Sequence, residues 1–260
     1  MNFLKVIFWQ SFKQNKKLVP LISVVVPVYQ SEKVLAQLVD RITYTVSAIS
    51  DEYEIILSDD CSKDGTWDLI CQLAVANTKV KPVKLIKNSG QWLNTLHGVK
   101  CSKGNFIVII DDDLEYQPED IQMLYKSIIN SDKLVVFGIA KTKYREQKKY
   151  PMISMVRKRI LELFWQTEMT DSFMILRREV VFNHTHFMPD VFLQAYINSN
   201  VDKMKWGYCA VGFSKRLIGM SQHNFKNKVS LFFLYTVHYH FINFRTVIKF
   251  ANCIYYKFNK

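Results

Sequence analysis

Four short apolar runs, separated by helix-patterned stretches, constrain this chain more than any other feature. They are Leu21–Val26, Tyr53–Ser58, Val83–Ile86 and Phe106–Ile110. Each is short, rich in Val and Ile, and bounded by polar or turn residues, which is the pattern of strands buried on both faces. Between them, residues 32–49 have helical spacing, and Asp64-Gly65-Thr66 opens a second helix with Leu69, Ile70 and Leu73 on its apolar face. Trp92–Lys100 predicts a third helix, and Pro118 opens a fourth that runs to about Ile129. Strands alternating with helices predict an α/β fold, a mostly parallel sheet flanked by helices. Pro27 is expected to stop the first strand, because it lacks the N–H that a ladder needs. Such sheets bind ligands at the carboxyl ends of their strands. Asp59-Asp60 and Asp111-Asp112-Asp113 would therefore share one crevice.

The second half is less regular. Leu134–Gly138, Ser172–Leu176 and Tyr208–Phe213 read as strands, and Met152–Trp165 as an amphipathic helix. No repeat or flexible linker interrupts the chain. The economical organisation is an N-terminal amphipathic segment at 1–20, one domain at 21–225, and an aromatic, basic helical appendage at 226–260. In the first segment Phe3, Leu4, Ile7, Phe8 and Phe12 share a helical face. In the last, Phe, Tyr, Leu and Ile alternate with His238, His240, Arg245 and Lys249. That mixture suits a helix lying in a headgroup region, whereas a spanning helix needs about 20 mostly apolar residues. No secretory signal is expected, because the apolar start is short and lacks a small-residue cleavage site.

The net charge of +12 points to an anionic partner: nucleotide phosphates, nucleic acid or an anionic membrane. Basic residues crowd at Lys141 to Arg145, Lys148-Lys149 and Arg157-Lys158-Arg159. No zinc-finger, RNA-recognition or helix-turn-helix signature accompanies them, so nucleic acid is not expected as a partner. The five cysteines are scattered without a CxxC pair, which excludes a disulfide framework or a zinc site and fits a reducing compartment. His184-x-His186 and His238-x-His240 are weak metal signals and read as ordinary polar positions.

Three carboxylates at the end of a buried strand repel one another. A divalent cation relieves them, and Mg²⁺ or Mn²⁺ on hard oxygen ligands completes its shell with substrate phosphates. A plain acidic turn capping the helix after Pro118 is the alternative.

Four segments taken in order sharpen the reading. They are Ser23-Val24-Val25-Val26-Pro27-Val28-Tyr29, the Asp59-Asp60-Cys61-Ser62-Lys63-Asp64-Gly65-Thr66 turn, Asn88-Ser89-Gly90-Gln91, and Asp111-Asp112-Asp113-Leu114. Together they resemble the family 2 glycosyltransferases with the Rossmann-like GT-A fold. Asn88-x-Gly90-Gln91, Asp111-x-Asp113-Leu114 with Pro118-Glu119, Asp171-x-Phe173-x-x-x-Arg177-Arg178, and Arg216-x-x-Gly219-x-Ser221 look like the polyprenyl-phosphate branch. That branch includes the dolichol-phosphate mannose synthases and bacterial undecaprenyl-phosphate sugar transferases. The chain departs from the usual pattern at three places. Gln30-Ser31 stands for Asn-Glu, Cys61 for Gly, and Asp112 for a small residue.

The resemblance implies inverting, metal-dependent transfer of a sugar from a nucleotide sugar to a polyprenyl phosphate or lipid-linked acceptor in bacterial surface glycan synthesis. It assigns the nucleotide sugar to Pro27, Tyr29, Glu32, Asp59, Asp60, Gly90, Gln91, Asp111 and Asp112, and the Mg²⁺ or Mn²⁺ to Asp111 and Asp113. Asp113, Asp171 and Arg216 are the candidate catalytic residues. A lipid phosphate is already an anionic nucleophile and needs cations for positioning, with Arg145, Lys215, Arg216 and Ser221 as candidates. A hydroxyl acceptor on a growing polysaccharide would instead need a base, with Asp171 preferred to Glu168. A non-catalytic nucleotide-sugar or nucleic-acid binding module is the remaining alternative. The expected location is cytoplasmic, peripheral on the inner face of the cell membrane.

Overall fold

The computed structural model describes residues 21–141, 172–182, 193, 197 and 201–214. Among these, seven strands form one sheet. β1 is Ile22–Val28, β2 Tyr53–Asp59, β3 Val80–Lys84, β4 Phe106–Ile109, β5 Val135–Ala140, β6 Met174–Arg177 and β7 Trp206–Val211. The spatial order is β3-β2-β1-β4-β6-β5-β7. β1 pairs in parallel with β2 and β4, β2 with β3, and β5 with β7. β6 alone runs against its neighbours β4 and β5. The sheet is thus mostly parallel, as the strand-helix alternation predicts. Its one reversed strand brings the start of β6 to the edge where β4 ends.

The helices are α1 (Leu35–Ser47), α2 (Thr66–Ala76), α3 (Gln91–Cys101), α4 (Ile121–Ile129, entered through a 3₁₀ turn at Pro118–Asp120) and a short α5 (Glu179–Phe182). Side-chain alternation divides the core in two. Val24, Val26 and Val28 pack with Leu38, Ile42, Ile70, Leu124 and Ile128 on the face of α1, α2 and α4. Val25, Ile56, Ile107 and Ile109 pack with Val99 of α3 and Val180 of α5 on the other. Every residue of β1 and β2 is buried, which explains their mostly apolar character, and the buried Ser23 donates to Glu54 of the neighbouring strand at 2.6 Å. Gly98 lets α3 lie directly on β1, since a Cβ there would come within 2.5 Å of Val25 Cγ1.

Two strands differ from expectation for one reason. β1 continues through Pro27 to Val28. Val25 accepts from Ile110 on the β4 side. By alternation the N-side of Pro27 faces the same way, beyond the last β4 pair, Val25 with Ile109. No ladder bond is lost there. β3 spans Val80–Lys84 rather than Val83–Ile86, with Pro82 inside it. β3 is an edge strand, and Leu85 donates to Asp59 on the β2 side, so Pro82 faces away from the sheet. The predicted helix at Met152–Trp165, the segment 1–20 and the appendage at 226–260 lie outside the described residues. Among the described residues no helix is long and apolar enough to cross a membrane.

Arg177 and Arg178 close the end of the sheet away from the aspartates. Arg177 donates to the carbonyls of Ile128, Ser131 and Lys133 at 3.0, 3.3 and 3.0 Å, below the last turn of α4. Arg178 donates to Ser102 at 2.7 Å, just past α3 on the opposite face. Adjacent strand residues point to opposite faces, so one Arg-Arg pair caps helices on both. The Arg177 guanidinium also covers the Phe106 ring. Arg177→Ala leaves these carbonyls unpartnered. It is expected to lower the unfolding free energy by about 2 kcal/mol, measured by urea denaturation.

Candidate active site

The carboxyl ends of β1, β2, β3 and β4 carry loops that hydrogen-bond into a closed ring. In the β1 loop, Tyr29 N donates to Asp112 Oδ2 at 3.0 Å and the Ser31 hydroxyl donates to the same oxygen. Gln30 N donates to Ser62 Oγ at 2.9 Å, and the Ser62 hydroxyl donates to Asp59. Asp60 accepts from Ser89 N at 2.6 Å and Gly90 N at 2.8 Å, joining the β2 and β3 loops. Gln91 Nε2 then donates to Asp111 Oδ1 at 2.8 Å, which closes the ring. The start of β6 joins it where the Ser172 hydroxyl donates to Asp111 Oδ2 at 2.5 Å. Both acidic strand ends therefore lie at one edge of the sheet, joined by this ring.

The surroundings of the individual residues differ. Asp59 and Asp60 are buried, at 0% and 3% exposure. Their carboxylates are engaged by N–H and hydroxyl groups of the loops that follow β2 and β3. Burial raises the Asp60 pKa, opposed by the bonds from Ser89 and Gly90. Gly90 has φ of 87° and ψ of 157°, a conformation essentially confined to glycine, and directs its N–H to Asp60. Glu32, exposed, accepts from Gly65 N at the start of α2, a favourable place for a carboxylate. Asp112, where the resembled family has a small residue, is the tie to the β1 loop. Its partner Ser31 is itself one of the departures, so two departures answer each other. Ser62 was detectable as a turn serine three residues after Asp59, whereas nothing in the sequence marks Ser172. Asp171, Arg145, Lys215, Arg216 and Ser221 lie outside the described residues.

Desolvation pushes the Asp111 carboxyl up to about 7. The bonds from Ser172 and Gln91 oppose this, while the charges of Asp113 and Asp112 add to it. Among the described residues no group of three or more His, Cys, Asp or Glu side chains is arranged to hold a metal. Asp111 and Asp113 nonetheless fit Mg²⁺ or Mn²⁺, which take one or two carboxylates and complete the shell with substrate phosphates. A carboxylate pushed up by desolvation and by neighbouring charge is what such a cation relieves.

The sequence of residues 23–189 matches the family model "Glycosyl transferase family 2". The chain belongs to glycosyltransferase family 2. It is 36% identical over 122 residues to the undecaprenyl-phosphate 4-deoxy-4-formamido-L-arabinose transferase of Aeromonas hydrophila subsp. hydrophila, a match covering 46% of this chain and 37% of that protein. The chain thus aligns with little more than a third of that relative. Its fold is similar to Mycobacterium tuberculosis glucosyl-3-phosphoglycerate synthase in complex with Mn²⁺, UDP-glucose and phosphoglyceric acid. The TM-score is 0.61 at 13% identity, over 84% of this chain and 77% of that one. It is also similar to a mannosyltransferase from Pyrobaculum calidifontis in complex with GDP-mannose and Mn²⁺. There the TM-score is 0.58 at 14% identity, over 93% and 71% of the two chains. The architecture is accordingly GT-A.

The raised Asp111 pKa has a stability consequence of definite sign. The unfolded chain releases this proton near 3.8, the folded protein near 7. The unfolded state binds fewer protons between these values, so metal-free stability falls as pH rises from about 4 to 7. Asp111→Asn removes that dependence, and Ser172 can turn its hydroxyl to accept from the new amide. At pH 7.5 without metal the variant is expected to melt roughly 2–4 °C higher than wild type. Calorimetry across pH checks both points.

Proposed function

We propose that this protein transfers a sugar, with inversion, from a nucleotide-sugar donor to a polyprenyl phosphate or lipid-linked acceptor. The observation that carries the reading is the ring of strand-end loops, which gathers the donor motifs around Asp111 and Asp113. Pro27, Tyr29, Gly90 and Gln91 line the approach for the nucleoside, and Asp112 holds the β1 loop against the metal motif. A divalent cation bound by Asp111 and Asp113 supplies Lewis-acid neutralisation of the leaving diphosphate. Transfer proceeds by direct attack at the anomeric carbon.

The acceptor assignment draws on the undecaprenyl-phosphate transferase relative and on the distribution of charge. Acidic residues outnumber basic ones among the described residues, so the basic surplus lies in 1–20, 142–171 and 215–260. A lipid phosphate needs cations rather than a base. Arg145, Lys215 and Arg216 are in those segments, as is Ser221, and all four are assigned to it here. Asp171 is kept for the case of a hydroxyl acceptor. The aromatic, basic stretch 226–260 holds the protein to an anionic membrane surface, where each Lys or Arg contributes about 1 kcal/mol.

The test is incubation with polyprenyl phosphate, Mn²⁺ or Mg²⁺, and radiolabelled UDP-, GDP- and dTDP-sugars, counting label in the organic phase. Metal-dependent label supports the proposal. Nucleotide release with no organic-phase label overturns the lipid-phosphate acceptor and directs attention to Asp171. Asp113→Ala should reduce transfer by at least about 10²-fold with an unchanged melting temperature, as chelation with EDTA should in wild type. Removing residues 229–260 should weaken flotation with anionic liposomes, and unchanged flotation would reject the membrane role.

A further inference from the structure

Gln117 lies between the Asp111–Asp113 turn and the exit of β7, and its side-chain bonds admit only one orientation. Arg41 Nη2 donates to Gln117 Oε1 at 2.5 Å. On the other side, Gln117 Nε2 donates to the Leu114 carbonyl at 3.4 Å and to Ser214 Oγ at 2.8 Å. A guanidinium only donates and a carbonyl only accepts, so flipping the amide would oppose like groups on both sides. Arg41 is itself fixed by Glu119, with bonds of 2.9 and 2.6 Å.

Both ends of this relay matter to the site. Leu114 is buried with φ of 58°, a left-handed turn that a branched residue enters at a cost. It directly follows Asp113, and its turn brings Glu115 N to within 3.0 Å of Asp113 Oδ1, so the path of its backbone decides whether that carboxylate is held. The exit of β7 is stitched along the same turn. Ser214 N donates to the Glu115 carbonyl at 2.8 Å, Gly212 N donates to Asp120 at 2.6 Å, and Phe213 bridges Tyr116 with ring centroids 5.2 Å apart.

We propose that Gln117 is a positioning residue for the cation site. It holds the strained Leu114 turn that aims Asp113, and it makes that geometry depend on the docked exit of β7. The inference rests on the reading of Asp111 and Asp113 as cation ligands, and needs nothing from the acceptor.

Gln117→Glu is the decisive variant. It keeps an acceptor for Arg41 but sets a carboxylate oxygen against the Leu114 carbonyl. Binding is read directly, by electron paramagnetic resonance of free Mn²⁺ titrated with the full chain in the presence of UDP or GDP, beside the melting temperature. Mn²⁺ affinity is expected to fall about tenfold while the melting temperature moves by no more than about 4 °C. Ser214→Ala should weaken Mn²⁺ by a smaller factor. If Gln117→Glu does not fold, Ser214→Ala decides by the same criterion. Wild-type Mn²⁺ affinity in the folded variant overturns the relay, because a purely structural role would move only the melting temperature. Failure of the wild-type chain to take up Mn²⁺ with either nucleotide would overturn the cation assignment, and this inference with it. Neither result bears on the lipid acceptor.

Discussion

Five aspartates at one edge of a buried sheet are the constraint around which this molecule is organised. Asp59, Asp60 and Asp111 to Asp113 stand at the ends of parallel strands, and at Asp60 and Asp111 desolvation and neighbouring carboxylates act against ionisation. Among the described residues, short polar contacts engage them. Backbone N–H groups of Tyr29, Ser62, Ser89, Gly90 and Glu115 point at these carboxylates, and serine hydroxyls fill further lone pairs. Neutral donors hold an anion without cancelling its charge. Carboxylates held in this way keep their attraction for a cation.

Much of this was legible in the sequence because it is local. β-Branched runs gave the strands, and the shared direction of parallel strands put Asp59-Asp60 and Asp111–Asp113 on one edge. The motif order gave the family. What escaped reading is non-local. Pro27 reads as the end of a strand until the neighbouring ladder is known to stop at Val25. The reversed direction of β6 cannot be read from Met174–Arg177 alone, yet it delivers Ser172 to Asp111. Arg177 and Arg178 belong to a motif and could pass for phosphate ligands. Their partners are helix-end carbonyls at the other end of the sheet. Glu32 likewise sits beside the donor motif while its carboxylate meets the start of α2. Membership of a motif located these residues without giving their hydrogen-bond partners.

The departures from the family pattern become intelligible through backbone conformation. Gln30, Cys61 and Leu114 are the non-glycine residues with positive φ among the described residues, and each follows the carboxyl end of a strand at the site. Glycine is usual at the position of Cys61, whose φ is 59°, and asparagine at that of Gln30, whose φ is 54°. Both usual residues tolerate left-handed backbone, whereas the residues present enter it at a cost of about 1–2 kcal/mol each. Such turns persist only where their surroundings hold them. Here Gln30 N is fixed by Ser62, the turn at Cys61 is fixed by the bonds between Ser62 and Asp59, and Leu114 is fixed by Gln117. The same contacts that compensate the aspartates thus hold the strained turns that present them. A chain with three such turns on adjacent strand ends has little freedom to move one loop alone. Tyr29, Ser62, Gly90 and Gln91 tie the four loops into one hydrogen-bonded ring, so displacing one loop breaks bonds to its neighbours as well as its own.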